Sequence, residues 1–66
     1  MKNTIRIERA IKDITQAELA ELTQVSRQNI NAIETGKYLP STVLALKIAR
    51  IFGKPVESVF ILEETD

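Results

Sequence analysis

The sequence predicts an all-α domain of five short helices, with a short terminal β-strand pair as the one addition its two ends allow. Three observations carry that expectation. A Ser or Thr hydroxyl stands ahead of an apolar-periodic run at Thr15, Ser26 and Ser41, where it can accept a hydrogen bond from a free N–H of the first helical turn. Residues suited to ending a helix follow such runs at Asp13, Gly36 and Gly53, because each tolerates or favours the left-handed backbone of a C-terminal cap. The 66 residues contain neither Cys nor His, so no disulfide and no zinc site of the usual types can staple them. A chain this short buries only about 60% of its unfolded surface. Dense helix packing and self-association are the stabilising devices that remain.

The elements follow in order. Lys2-Asn3-Thr4-Ile5-Arg6-Ile7 alternates polar and apolar residues, which suits either a short strand or the start of the first helix. From about Ile5 to Lys12 helix is favoured by Ala10, Ile11 and the charged residues among them, with Asp13 as the stop. Thr15 and Glu18 form a capping box, so the second helix opens at Gln16. Leu19, Ala20 and Thr23 should face inward, with Leu22 lateral and Gln24-Val25 as the turn. Ser26 caps a third helix, Arg27 to Thr35, anchored by Ile30 and Ile33. Beyond Ser41, the residues Leu44, Ala45, Ile48, Ala49 and Phe52 recur at helical period and make a buried stripe. Pro55 suits the first turn of a last short helix ending at Val59 or Phe60, and Phe60-Ile61-Leu62 is β-prone. The chain reads as one domain, 1–66, with the paired helices at 16–35 and a C-terminal segment at 55–63.

Charge and the third helix point to a partner. The net charge is zero, yet residues 1–56 hold all nine basic residues against five acids (Glu8, Asp13, Glu18, Glu21, Glu34), a net of +4. The last ten residues hold Glu57, Glu63, Glu64 and Asp66, a net of −4. A basic body with an acidic tail can still face phosphate. With Ile30 and Ile33 inward, positions 27, 28, 31 and 32 lie outward. Arg27 and Gln28 occupy the first turn, where Arg matches guanine O6 and N7 and Gln matches adenine N6 and N7 in a major groove. Asn29 and Asn31 suit bases or phosphates, and Ala32 offers only a small apolar surface. A merely solvated face would mix in Glu and Lys; two Asn in one short helix are poor helix formers and imply another role. Gln16, with the free N–H groups of its helix start, could hold a phosphate. Lys37 could clamp the DNA backbone. Tyr38 could do so too, or pack on the core with its hydroxyl exposed.

The residues T-Q-A-E-L-A-E-L, V-S-R-Q-N-I-N-A-I-E-T-G-K-Y, P-S and A-L-K-I-A together resemble the Cro/cI-type (XRE-like) helix-turn-helix repressors, especially short stand-alone members. The resemblance spans Ile5 to Phe60 and implies a compact lambda-repressor-like five-helix domain that binds double-stranded DNA. It implies that Gln16 contacts phosphate and nearby bases and that Arg27 and Gln28 read bases. It further implies an ion pair between Arg9 and Glu34 that orients the recognition helix without reading sequence. The chain departs from the family at four places. Gln24 stands where a turn glycine is common, Asp13 replaces another frequent glycine, Ala32 lacks a further base-contacting side chain, and Thr23 replaces a larger aliphatic, which predicts a weaker local core.

Two-fold dimers read two half-sites about one helical turn apart, and Val56, Val59, Phe60, Ile61 and Leu62 are more apolar surface than one short helix needs. The expectation is a homodimeric, cytoplasmic repressor on a palindromic operator. It should be no enzyme, since no His, Cys or clustered carboxylates offer a catalytic set. It should need no cofactor or metal and lie off the membrane, since no stretch approaches the ~20 apolar residues of a span. The same helices also serve antitoxin-like modules whose main partner is a toxin protein, and that alternative stays open at this level.

Overall fold

The computed structural model describes all residues 1–66. Its elements run β1 (Lys2–Asn3), α1 (Ile5–Lys12), α2 (Gln16–Thr23), α3 (Arg27–Glu34), α4 (Thr42–Phe52), α5 (Val56–Val59) and β2 (Phe60–Ile61). Most boundaries follow from local chemistry. The Thr15 hydroxyl accepts from the Glu18 N–H while the Glu18 carboxylate accepts from the Thr15 N–H, both at 3.0 Å. Ser26 accepts from the Asn29 N–H at 3.1 Å and Ser41 from the Leu44 N–H at 3.2 Å. Such caps each stabilise a short helix by about 1 kcal/mol.

Helices α1 and α2 end on left-handed residues that are not glycine, Asp13 at φ 57° and Gln24 at φ 62°. A side chain with a Cβ carries a steric cost there of about 1–2 kcal/mol. Gln24→Gly should relieve that cost, offset in part by a more flexible unfolded chain. The net expectation is a gain of about 0.5–1 kcal/mol, seen as a higher melting temperature. A lower melting temperature would show that the Gln24 side chain contributes contacts outweighing its backbone strain.

Thr23 is buried in the joint between α2 and α3, 2% exposed. Its hydroxyl donates to the Leu19 carbonyl at 2.8 Å, which satisfies the group that would otherwise make burial costly. The expected weak spot is therefore a hydrogen-bonded helix end. Pro55 does not open α5 as its first-turn residue. It sits one position earlier, as the N-cap, with extended backbone at φ −60° and ψ 147°, and so adds no turn to the helix.

One core holds the helices together. Ile5 of α1, Leu19 and Ala20 of α2, Ile30 and Ile33 of α3, Leu44, Ile48 and Ala49 of α4, Val59 of α5 and Phe60 of β2 form a single buried cluster. Each fully buried Ile or Leu contributes about 1.5–3 kcal/mol by leaving water. Val59 and Phe60 are thus corrected from the expected dimer interface: they are 0% and 8% exposed within the single chain. The last short helix and the strand after it close the bottom of this chain's own core, which leaves Val56 half-buried and only Ile61 and Leu62 exposed.

The chain ends meet in a two-stranded antiparallel sheet, with Lys2 opposite Ile61 and Asn3 opposite Phe60. The Thr4 N–H extends the pairing to the Val59 carbonyl at 2.9 Å. Asn3 also reaches inward. Its side-chain amide donates to the Ile33 carbonyl at 3.0 Å, near the C-terminus of α3, and accepts from the Ile5 N–H at 3.2 Å, at the start of α1. It thereby does for α1 what Thr4, the N-cap, does not. Glu8, nearly buried on α1, pairs with Lys54 in the loop between α4 and α5. The Met1 ammonium meets Glu63 at 3.2 Å and Asp66 at 3.0 Å, which ties part of the acidic tail to β1. No helix is long and apolar enough to cross a membrane.

Candidate nucleic-acid interface

Helix α3 is amphipathic by construction. Ile30 and Ile33 are buried, while Arg27, Gln28 and Asn31 are exposed. Arg27 and Gln28 stand in the first turn, and neither side chain has an ion-pair or hydrogen-bond partner within the chain. A free guanidinium and a free amide at the N-terminal end of an exposed helix can bond groove edges bidentately. Lys37 and Tyr38 follow α3 and are exposed, their loop held by backbone N–H donation from both residues to the Ala32 carbonyl at 2.9 and 3.2 Å. Tyr38 is 54% exposed, so of the two readings open in the sequence the ring is not part of the core.

Asn29 lies apart from the other polar residues of α3. It is half-buried and faces a groove shared with Thr23, Tyr38, Ser41 and Lys47. Its amide oxygen is buried with no hydrogen-bond partner. The helical turn explains this: position 29 precedes buried Ile30 and lies one turn before buried Ile33, so its side chain tilts toward α4. Asn31 instead points to the opposite flank, toward α1 and α2.

On that flank a chain of polar contacts joins three helices. Arg9 donates to both carboxylate oxygens of Glu34, from Nη2 to Oε1 at 2.7 Å and from Nε to Oε2 at 3.2 Å. A third bond runs from Arg9 Nη1 to the Ile14 carbonyl at 3.2 Å. The side chains are 17% and 6% exposed, so this is a bidentate pair with little solvent screening. Gln16, the first residue of α2, donates from Nε2 to Glu34 Oε2 at 3.2 Å and to Asn31 Oδ1 at 3.0 Å. The pair expected between Arg9 and Glu34 is therefore present, and it also organises Gln16 and Asn31.

Arg6 was not singled out in the sequence. It is exposed, has no acidic partner, and lines the same polar groove as Arg9, Gln16 and Asn31. Its spacing three residues before Arg9 puts both cations on one side of α1, which was the signal available.

Over residues 5–59 the chain matches the helix-turn-helix family. The chain belongs to that family. It is similar to an uncharacterised helix-turn-helix-type transcriptional regulator from Methanocaldococcus jannaschii, 50% identical over 66 residues that cover all of both chains. A counterpart from Methanothermobacter thermautotrophicus is 48% identical over 65 residues, 97% of this chain and 94% of that one. Another from Bacillus subtilis is 47% identical over 64 residues, 97% of each. The α2–turn–α3 unit described above is the helix-turn-helix of this protein, and the XRE-type resemblance is borne out. Membership supports DNA binding and transcriptional regulation as its class of function.

Proposed function

We propose that this helix-turn-helix protein is a repressor that binds a palindromic operator as a homodimer and lays α3 in the major groove. The observation that carries the reading is the pair Arg27 and Gln28, exposed and unpartnered in the first turn of α3 on the helix surface that the buried Ile30 and Ile33 leave to solvent. Arg27 and Gln28 read base edges. Lys37 and Tyr38 hold phosphates beyond the C-terminal end of the helix, and Asn29 serves the flank toward α4 rather than the base-reading face. Arg9 and Glu34 orient the helix and make no DNA contact.

A single recognition helix discriminates weakly, and two-fold pairing doubles the sequence read. Ile61 and Leu62, 41% and 78% exposed, with half-buried Val56, are the apolar surface left in the C-terminal segment for a second copy once Val59 and Phe60 have entered the core. The protein acts where its operator is, in the cytoplasm.

Selection of bound duplexes from a random pool tests the whole reading, since it reports half-site sequence, spacing and symmetry together. A single asymmetric site would remove the homodimer from the proposal. Arg27→Ala should lose about 1–3 kcal/mol of discrimination at one base pair of each half-site. Lys37→Ala should instead weaken binding to all sequences alike and reduce the slope of log K against log salt by about 1. If neither substitution changes binding, α3 and its following loop are not the interface.

A further inference from the structure

The contacts around Gln16 determine which hydrogen-bonding atoms face outward from the α1–α3 groove. The Glu34 carboxylate forms the ion pair with Arg9, and a carboxylate so paired can only accept. The Gln16 atom facing it at 3.2 Å must therefore be the amide nitrogen. That nitrogen has two hydrogens, and the second goes to Asn31 at 3.0 Å. The receiving atom of Asn31 must then be its oxygen. One polarity thus propagates from Arg9 through Glu34 and Gln16 to Asn31: flipping Gln16 would set acceptor against acceptor at Glu34, and flipping Asn31 would set donor against donor at Gln16.

What remains free is an acceptor on one residue and a donor on the other. Gln16 offers only Oε1, since both its N–H bonds are used inside the protein. Asn31 offers Nδ2 with its two hydrogens, beside the one lone pair of Oδ1 that Gln16 leaves free. Both residues line the same polar groove beside the recognition helix. While both of its hydrogens are so engaged, the Gln16 side chain has none to give a phosphate oxygen. In the major groove it can accept from a base amino group, and Asn31 can donate to a ring nitrogen. Among the four bases, only adenine carries a donor and an acceptor on its own major-groove edge, at N6 and N7.

We infer that Gln16 and Asn31 act as one composite reader of a single adenine, Gln16 Oε1 accepting from N6 and Asn31 Nδ2 donating to N7. The inference rests on the proposed docking of α3 in the major groove and adds a specificity position that does not involve Arg27 or Gln28. The Arg9–Glu34 pair is then a positioning element for readout, since it sets the polarity of both amides.

The test uses the wild-type protein and the duplex recovered by random selection, with each adenine replaced in turn by purine, which lacks the N6 amino group, or by 7-deazaadenine, which lacks N7. One adenine per half-site should respond to both analogues, each weakening binding about 5- to 10-fold, as half of a bidentate base contact. Gln16→Ala should abolish the response to purine at that adenine and keep the response to 7-deazaadenine. Asn31→Ala should do the reverse. Arg27→Ala should leave both responses intact, which separates this position from the one Arg27 reads. If a specific site is recovered but no adenine shows this split, the composite reader is wrong while DNA recognition by α3 stands. If no specific site is recovered, both readings fall together. The analogue series on the unaltered protein does not depend on either variant folding.

Discussion

Ile30→Ala is expected to destabilise the protein by about 2–5 kcal/mol, the range for emptying a fully buried aliphatic position. Ile30 is 0% exposed and lies in the one buried cluster that joins every helix. A domain of this size has a total stability of roughly 3–10 kcal/mol, so the variant should be largely unfolded or close to it at ordinary temperature. Chemical denaturation should show a strongly lowered midpoint with an unchanged slope. The contrast is Ile7→Ala on the outer side of α1, where Ile7 is 61% exposed; surface substitutions of this kind stay within about 0.5 kcal/mol. Equal losses at the two positions would show that the core does not lie where α3 places it. Because Ile30 sits behind Arg27 and Gln28 on the same helix, its loss should abolish DNA binding through unfolding. Restored binding at low temperature would separate this from a contact effect.

Glu34→Ala should have the second-largest effect, about 2–3 kcal/mol, somewhat below the ~3–5 kcal/mol for breaking a fully buried pair. Arg9 keeps some exposure, which softens the cost of leaving its charge unpaired. The loss should appear as a melting temperature lowered by roughly 10–20 °C. A double variant, Arg9→Met with Glu34→Leu, removes both charges together and should recover most of that stability, since two apolar side chains need no compensating partner. Its sequence preference should nevertheless stay altered, because Gln16 and Asn31 lose the carboxylate that sets their orientation. A cost for Glu34→Ala below about 1 kcal/mol would class the pair with ordinary surface ion pairs and remove its orienting role.

The two predictions draw on different kinds of information. The inward positions Leu19, Ile30, Ile33 and Ile48 follow from helical period and are all buried as expected. The Arg9–Glu34 pair came from the family resemblance, since nothing in the spacing of two residues on separate helices announces their contact. The candidate interface was legible in its residue types at Arg27, Gln28 and Asn31, which are all exposed on α3. Asn29 was not separable from them in the sequence, because a side chain beside a buried residue turns to whichever flank has room, and α4 supplies that room. The apolar run from Val56 to Leu62 signalled that something must cover it. Composition could not say whether the cover is a second chain or the chain's own core, and Val59 and Phe60 go to the core.

Helix starts and stops were encoded within a few residues of themselves. The hydroxyls of Thr15, Ser26 and Ser41 bond N–H groups three positions on, and Asp13, Gln24 and Gly53 end helices through their own backbone conformation. Such interactions need no knowledge of where the rest of the chain goes. The strand pair between the two ends, the bridge from Asn3 to the Ile33 carbonyl thirty positions away, and the pairing of Glu8 with Lys54 across forty-six depend on how five helices pack. The polarity of Gln16 and Asn31 belongs to the same class. An amide can donate or accept with equal ease until a neighbour that can only accept is brought against it, and packing α1, α2 and α3 together is what brings Glu34 there.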